Sequence, residues 1–283
     1  MQKFLFLIVG VMISVTLYAQ SIPDSVQVAK ANWRKTRVTR HIVWQEAHFD
    51  SLFQAKQNIN LIVLKNRRRR PVMALASAGD SLKPTSWFGK RFGALVALNG
   101  TFFDTKNGGS VDFVKIDGYV FDTTRVSAKG LSEHQQAAIT IDHNQVQIVY
   151  GGNQPGWDRK LASDNVMTTG PLLLRDGKPH PLLKNAFNDN RHPRTCLCIG
   201  PRRRLILATV DGRNANAQGM NLHELTKLMR WLGCHDAINL DGGGSTTLWL
   251  ANQADNGVVN YPSDSKQWIH TGERPVSNVI LIR

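Results

Sequence analysis

Apolar residues in this chain fall into short runs of four to six, separated by Gly, Asn, Asp, Pro and Thr. The clearest lie at 95–98, 137–141, 146–150, 171–174, 196–199, 205–210, 237–240 and 279–282. Short apolar runs bounded by turn residues predict strands. One segment follows a different period. Leu222, Leu225, Leu228, Met229 and Leu232 make a helical stripe that Asn221 and Glu224 can open and Gly233 can end. Helix 222–232 therefore sits between strands 205–210 and 237–240. This strand–helix–strand order is consistent with a parallel crossover. A shorter helix is predicted across Ser86-Trp87-Phe88-Gly89-Lys90-Arg91-Phe92. With no internal repeat or low-complexity linker, the pattern predicts a mixed α+β, sheet-rich single domain over 59–283 with a few flanking helices.

The N-terminus departs from this pattern. Lys3, the apolar run 4–17 and then Tyr18-Ala19-Gln20 predict a signal peptide over 1–20, cleaved near Ala19 or Gln20. The run is shorter than the ~18–20 residues a membrane span requires. The expectation is an exported chain, periplasmic or extracellular, with no membrane span after cleavage. Residues 21–58 are polar and carry Trp33, Trp44 and Phe49. They are expected to add a strand or two that pack on the domain.

Composition narrows the partners. The formal charge is +14, which suits polyanionic surroundings. Much of the excess is local, in the arginine runs 67–70 and 202–204. Each lies between apolar runs and reads as a solvated hairpin tip, so nucleic acid is not an expected partner. Three cysteines, Cys196, Cys198 and Cys234, make no disulfide framework in a chain this long. Cys196 and Cys198 share one face of a strand and are poorly placed to bridge each other. Either could pair with Cys234, but buried free thiols are the default expectation. Zinc has no support from ligand spacing, and no cofactor is required. His134, His143, His180 and His235 show no partner pattern and read as ordinary core or surface histidines.

The stretch with most chemistry is Asn239-Leu240-Asp241-Gly242-Gly243-Gly244-Ser245-Thr246-Thr247. It lacks the Lys of a P-loop, and β-type residues follow it where a dinucleotide fingerprint needs a helix. It reads as strand–turn–strand, with a carboxylate on bare backbone that an anion can approach. Other strand ends are similar: Asn99-Gly100-Thr101-Phe102-Phe103-Asp104, Thr169-Gly170-Pro171, His192-Pro193-Arg194-Thr195, Asp211-Gly212-Arg213 and Glu273-Arg274-Pro275-Val276-Ser277-Asn278. Taken singly, Asp-Gly and Asn-Gly are turn dipeptides. Together they place two carboxylates, Asp241 and Glu273, beside arginines that suit phosphate oxygens. Arg194 and Arg274 could instead form structural ion pairs with Asp211 or Glu273.

These motifs, in this order from about residue 60 onward, resemble the phosphodiester glycosidase family. The resemblance implies a hydrolase that splits sugar from phosphate in a glycosyl-1-phosphodiester, on a mixed α/β scaffold. Its partner would be a sugar-phosphate-containing glycan or a small glycosyl phosphodiester. Carried over position by position, Asp241 and Glu273 are the catalytic candidates. Asn99, Thr169, Arg194, Asp211, Arg213, Gly242, Gly243, Ser245 and Arg274 are the binding candidates. Arg194 and Arg213 would hold the phosphodiester, with backbone N–H groups from Gly242 to Ser245. A divalent metal at Asp211 or Asp241 is the lesser alternative. Thr101 departs from the family pattern, standing where Asn-Gly-Gly-Phe-Phe has glycine. No cysteine-rich extension or membrane span follows the motifs. The competing class is a non-catalytic glycan- or polyanion-binding cell-envelope protein using the same basic loops.

Overall fold

The computed structural model describes residues 22–65 and 72–283; the predicted leader and the arginine run 67–70 lie outside them. Helix α1 (Asp24–Lys30) precedes an antiparallel meander of β1 (Arg34–Arg37), β2 (Ile42–Leu52) and β3 (Ala55–Lys65). Next come β4 (Met73–Ser77), α2 (Thr85–Arg91) and β5 (Val96–Asn99). Strands β6 (Val114–Ile116), β7 (Tyr119–Asp122), β8 (Ala137–Asp142), β9 (Gln145–Tyr150) and β10 (Asn165–Thr169) follow. Then come β11 (Leu172–Arg175), β12 (Lys178–Pro179), the one-turn α3 (Ala186–Asp189), β13 (Arg194–Gly200) and β14 (Arg204–Val210). The last elements are α4 (Leu222–Trp231), β15 (Asp236–Asn239), β16 (Leu248–Leu250) and β17 (Asn278–Ile282).

The strands form three sheets, ordered β1-β2-β3-β14-β13-β15-β11-β12, β7-β6-β10-β8-β9 and β16-β5-β17-β4. The fold is mixed α+β and sheet-rich, as the apolar pattern predicts. The sheets share one core. Ile62, Leu197 and Leu207 of the first sheet meet Ile139 and Met167 of the second and Leu98 and Ile280 of the third. Strand alternation places Cys196, Cys198 and Ile206 on the opposite face, against Val28 of α1 and Leu225 and Met229 of α4. The third sheet packs its outer face on Phe88 of α2.

Helix α4 starts as its sequence signals. Asn221 accepts from Glu224 N at 2.8 Å, and the Glu224 carboxylate accepts from Asn221 N at 3.1 Å. Such a cap contributes about 1 kcal/mol. The helix joins β14 to β15, and β13 lies between them, antiparallel to both. The two flanking strands are thus parallel but one position apart. Short helix α2 also forms where the sequence places it.

Three expectations need correction. Residues 67–70 lie outside the described residues, but the strands on either side do not pair with each other: β3 pairs with β2 and β14, whereas β4 pairs with β17 in another sheet. The segment from β15 to β16 likewise passes between sheets, through a 3-10 turn at Gly243–Ser245. And the thiols are not all free. Cys198 and Cys234 are disulfide-bonded, while Cys196 stays a buried thiol. β13 and the turn after α4 bring residues 36 apart in sequence to a Cα–Cα distance of 5.8 Å, within disulfide reach. The run 202–204 does mark the β13–β14 hairpin, where Gly200 lies opposite Arg204.

Register explains why the motifs converge. Arg194 at the start of β13 faces Val210 at the end of β14, and Cys196 faces Asn239 at the end of β15. Asn99 at the end of β5 faces Val279 near the start of β17. Thr169 at the end of β10 faces Ala137 at the start of β8. Antiparallel pairing gathers strand starts and strand ends at one rim.

Candidate active site

Asp241 leaves β15 at the seam between two sheets. Its N–H donates to Gly100 O at 3.1 Å, and its carbonyl accepts from Asn99 Nδ2 at 2.7 Å. Asn99 is fully buried, and its Oδ1 also accepts from Thr195 Oγ1 at 2.8 Å and Thr247 N at 3.1 Å. Asn99 is therefore the brace that fixes the Asp241 backbone. Thr169 serves the same seam: it is buried and donates to Asn239 O at 3.2 Å.

The Asp241 carboxylate is half-buried in a cleft of about 510 Å³, within the size range of small-molecule sites. His192, Arg194, Arg213, Gly242, Gly243 and Arg274 also line it. Asp241 Oδ1 accepts from Gly242 N at 2.8 Å. Burial raises the carboxyl to about 6, opposed by Ser245, Gly242 and the charges of Arg274 and His134. Ser245 Oγ is buried with no hydrogen-bond partner in geometry, so it sits beside the carboxylate without closing on it. A carboxylate with little hydrogen bonding and a raised pKa is basic enough to work at neutral pH.

Three arginines face it in different states. Arg194 is 1% exposed and spends its guanidinium on the carbonyls of Met220 (2.8 Å), Phe187 (2.6 Å) and Asn190 (3.0 Å). Burial, then the nearby Arg213, lowers its pKa to about 10. It makes no ion pair among the described residues, so its charge adds to the potential in the cleft. Arg274 pairs with Asp264 at 2.7 and 3.0 Å, not with Glu273. Gly244 makes that pair fit: a Cβ there would collide with both side chains. Arg213 is exposed, and among the described residues its guanidinium makes only a 3.4 Å approach to His192 Nδ1. Its fork is the one free to bind an anion.

Other candidates lie elsewhere. Asp211 is fully buried and accepts from Asn58 Nδ2 (2.8 Å), Asn260 Nδ2 (2.9 Å) and Tyr261 N (3.0 Å). It anchors the turn that presents Arg213. Glu273 is not among the cleft residues; its carboxylate accepts from Ser86 N at 3.0 Å, in the first turn of α2. Backbone donors are fewer than the triple glycine suggests. Gly242 N donates to Asp241, Gly243 N to Pro193 O and Ser245 N to Gly242 O. Among the described residues, only Gly244 N of this turn has no acceptor.

The two carboxylates named as metal candidates stand apart in their surroundings. Both Asp211 oxygens face N–H donors, and no group of three or more His, Cys, Asp or Glu converges as ligands among the described residues. No described helix is long and apolar enough to cross a membrane.

The cleft thus holds one carboxylate and three arginines at a rim of strand ends. The phosphodiester glycosidase model matches residues 92–283. The chain belongs to the phosphodiester glycosidase family. That family supports a hydrolase acting on glycosyl phosphodiesters. The human N-acetylglucosamine-1-phosphodiester alpha-N-acetylglucosaminidase is 28% identical over 234 residues, covering 76% of this chain and 40% of that protein. This chain spans less than half the length of the curated relatives it matches. The catalytic domain of the zebrafish enzyme of that name, solved auto-inhibited by its pro-peptide, has the same fold. It gives a TM-score of 0.65 at 23% identity, covering 89% of this chain and 83% of that one. A hypothetical protein from Synechocystis gives 0.68 at 16% identity, covering 93% and 64%.

This phosphodiester glycosidase domain also has site residues that sequence reading left aside. His134 sits in the next cleft with Phe102, Pro171 and Phe187, and Phe187 lines both clefts. His134 Nδ1 lies 3.1 Å from Oδ2 of the fully buried Asp112. The signal was indirect. Ser132 and Gln135 form a capping box around the turn, and Gly170 of Thr169-Gly170-Pro171 has no Cβ where the His134 backbone passes. Phe187 packs under Arg194 at 4.8 Å.

Proposed function

We propose that this chain is an exported hydrolase that cleaves a sugar from phosphate in a glycosyl-1-phosphodiester. The observation that carries the reading is that the Asp241 carboxylate shares one cleft with the free guanidinium of Arg213 and the buried charge of Arg194. Arg213 takes the phosphodiester oxygens in a forked hydrogen bond, and Arg194 adds fixed positive potential behind it. The bond from the anomeric carbon to the phosphate oxygen breaks with its electron pair moving to that oxygen. The arginines stabilise the charge gathering there, while the Asp241 carboxylate faces the positive charge at the anomeric carbon. Glu273 acts indirectly, tying α2 to the segment that carries Arg274. The disulfide between Cys198 and Cys234 supports export, since such bonds persist in oxidising compartments. N-acetylglucosamine is the first sugar to test, from the name of the human relative.

The test is hydrolysis of a panel of sugar-1-phosphodiesters by residues 21–283 and by Asp241→Asn. Each is measured with and without chelator. Sugar release by the wild type that is lost in the variant, with retained binding of inorganic phosphate, supports the reading. Phosphate binding by both proteins with no release from any substrate would leave an anion-binding protein. Loss of turnover with chelator would bring back the metal.

A further inference from the structure

Hydrolysis at a sugar carbon needs an acceptor for the proton of the attacking water, and Asp241 alone does not both face the anomeric carbon and hold that proton. We propose that His134 is this acceptor, with Asp112 and Thr101 as the residues that position it; the proposal rests on the hydrolase reading above.

The geometry comes from four segments. The 3-10 turn Glu133–Gln135 carries His134 to the rim, and Gly170 leaves room for its backbone. The Phe102 ring packs on the imidazole at 4.3 Å between ring centroids, tilted by 41°. Asp112, fully buried, receives Thr101 Oγ1 at 2.9 Å, Gln135 Nε2 at 3.1 Å and His134 Nδ1 at 3.1 Å. A buried carboxylate facing Nδ1 fixes the proton there and leaves Nε2 as the lone-pair nitrogen. Nε2 has no protein partner among the described residues, and the side chain is 24% exposed beside the cleft. His134 is near enough to Asp241 for its charge to act on that carboxyl. The other acidic group of its turn, Glu133, is already engaged by Leu183 N and Asn188 Nδ2. Thr101 is where this chain departs from the glycine of its family pattern, and its hydroxyl is spent on Asp112.

As water oxygen bonds to the anomeric carbon, one water proton passes to His134 Nε2 and the phosphate leaves with the electron pair of the broken bond. The imidazolium so formed is stabilised by Asp112 and returns its proton to solvent. The step needs no oxidant or further reactant. If Asp241 first carries the glycosyl group, phosphate leaves as that ester forms; water then breaks the ester, freeing the Asp241 carboxylate while its proton passes to the same Nε2.

The test uses the whole mature chain. His134→Asn keeps an N–H donor toward Asp112 and removes Nε2. We expect kcat to fall by about 100-fold or more, with KM within about threefold. Imidazole added to His134→Ala should restore part of the rate. Thr101→Val removes one hydrogen bond to Asp112 and should alter the pH–rate profile, with a rate loss under about tenfold. Unchanged kcat in His134→Asn overturns the proposal while leaving the hydrolase reading intact, as does a folded His134→Ala whose lost rate imidazole fails to restore. Absence of wild-type turnover on every substrate overturns both.

Discussion

Two strands of one sheet end in the same dipeptide. β14 runs into Asp211-Gly212 and β15 into Asp241-Gly242, and burial raises both carboxyls to about 6. Their surroundings then diverge. Asp211 is enclosed by three N–H donors, whereas the Asp241 carboxylate accepts one hydrogen bond among the described residues and keeps an open face on the arginine cleft. Desolvation raises a carboxyl wherever it is applied, so the shift alone does not mark the reactive group. What separates the two is the hydrogen-bonding capacity left over. Asp211 has spent it on structure, and Asp241 can still use it on a substrate.

The largest expected effect tests that difference at Asp241. Asp241→Asn should lower kcat by about 1,000-fold or more, about 4 kcal/mol of transition-state stabilisation, with a melting temperature unchanged near pH 4 and no lower at neutral pH. The wild-type rate should rise with pH through about 6, because the working form is the carboxylate and burial moves its titration there.

Asp211→Ala should show the opposite division. Three N–H donors lose their acceptor, which costs about 3 kcal/mol of stability in a denaturant titration. Activity per folded molecule should fall less than tenfold. The pH dependence of stability gives a second measurement. Each carboxyl holds its proton to about pH 6 in the fold but only to about 3.8 when unfolded. The contribution of these two carboxyls to stability is therefore full below about pH 4 and is lost as pH rises through about 6. Each substitution should remove its own share of that slope.

Arg213→Ala separates the free fork from the fixed ones. It should cost about 100-fold in kcat/KM, about 2.7 kcal/mol, and Arg213→Lys should recover only part, since an ammonium cannot make the forked contact. An equal loss from Arg274→Ala would mean the Asp264 ion pair opens for substrate.

The sequence carried some of this and hid the rest for a physical reason. Asp241, Arg213 and the Asn221 cap are legible because their meaning lies in neighbours along the chain. The flanking strands are legible for the same reason. Which strands pair is decided by contacts far apart in sequence, so nothing near 67–70 shows that β3 and β4 enter different sheets. His134 and Asp112 are 22 residues apart, and the two meet only when the 3-10 turn and the strand rim are assembled. Cys198 and Cys234 meet for the same kind of reason, across α4.

Glu273 is the sharpest case, because local sequence favours it as strongly as Asp241 and its partner lies 187 residues away. Its carboxylate caps the first turn of α2 through Ser86 N, the position where a negative group satisfies an otherwise unpaired N–H. Glu273→Gln keeps an oxygen that can accept this bond and removes only the charge. It should cost less than about 1 kcal/mol in stability and less than about threefold in kcat. That would be the smallest effect of the series. A loss as deep as that of Asp241→Asn would reverse the comparison. It would mean that Glu273 leaves Ser86 when substrate binds and completes a carboxylate pair at the anomeric carbon.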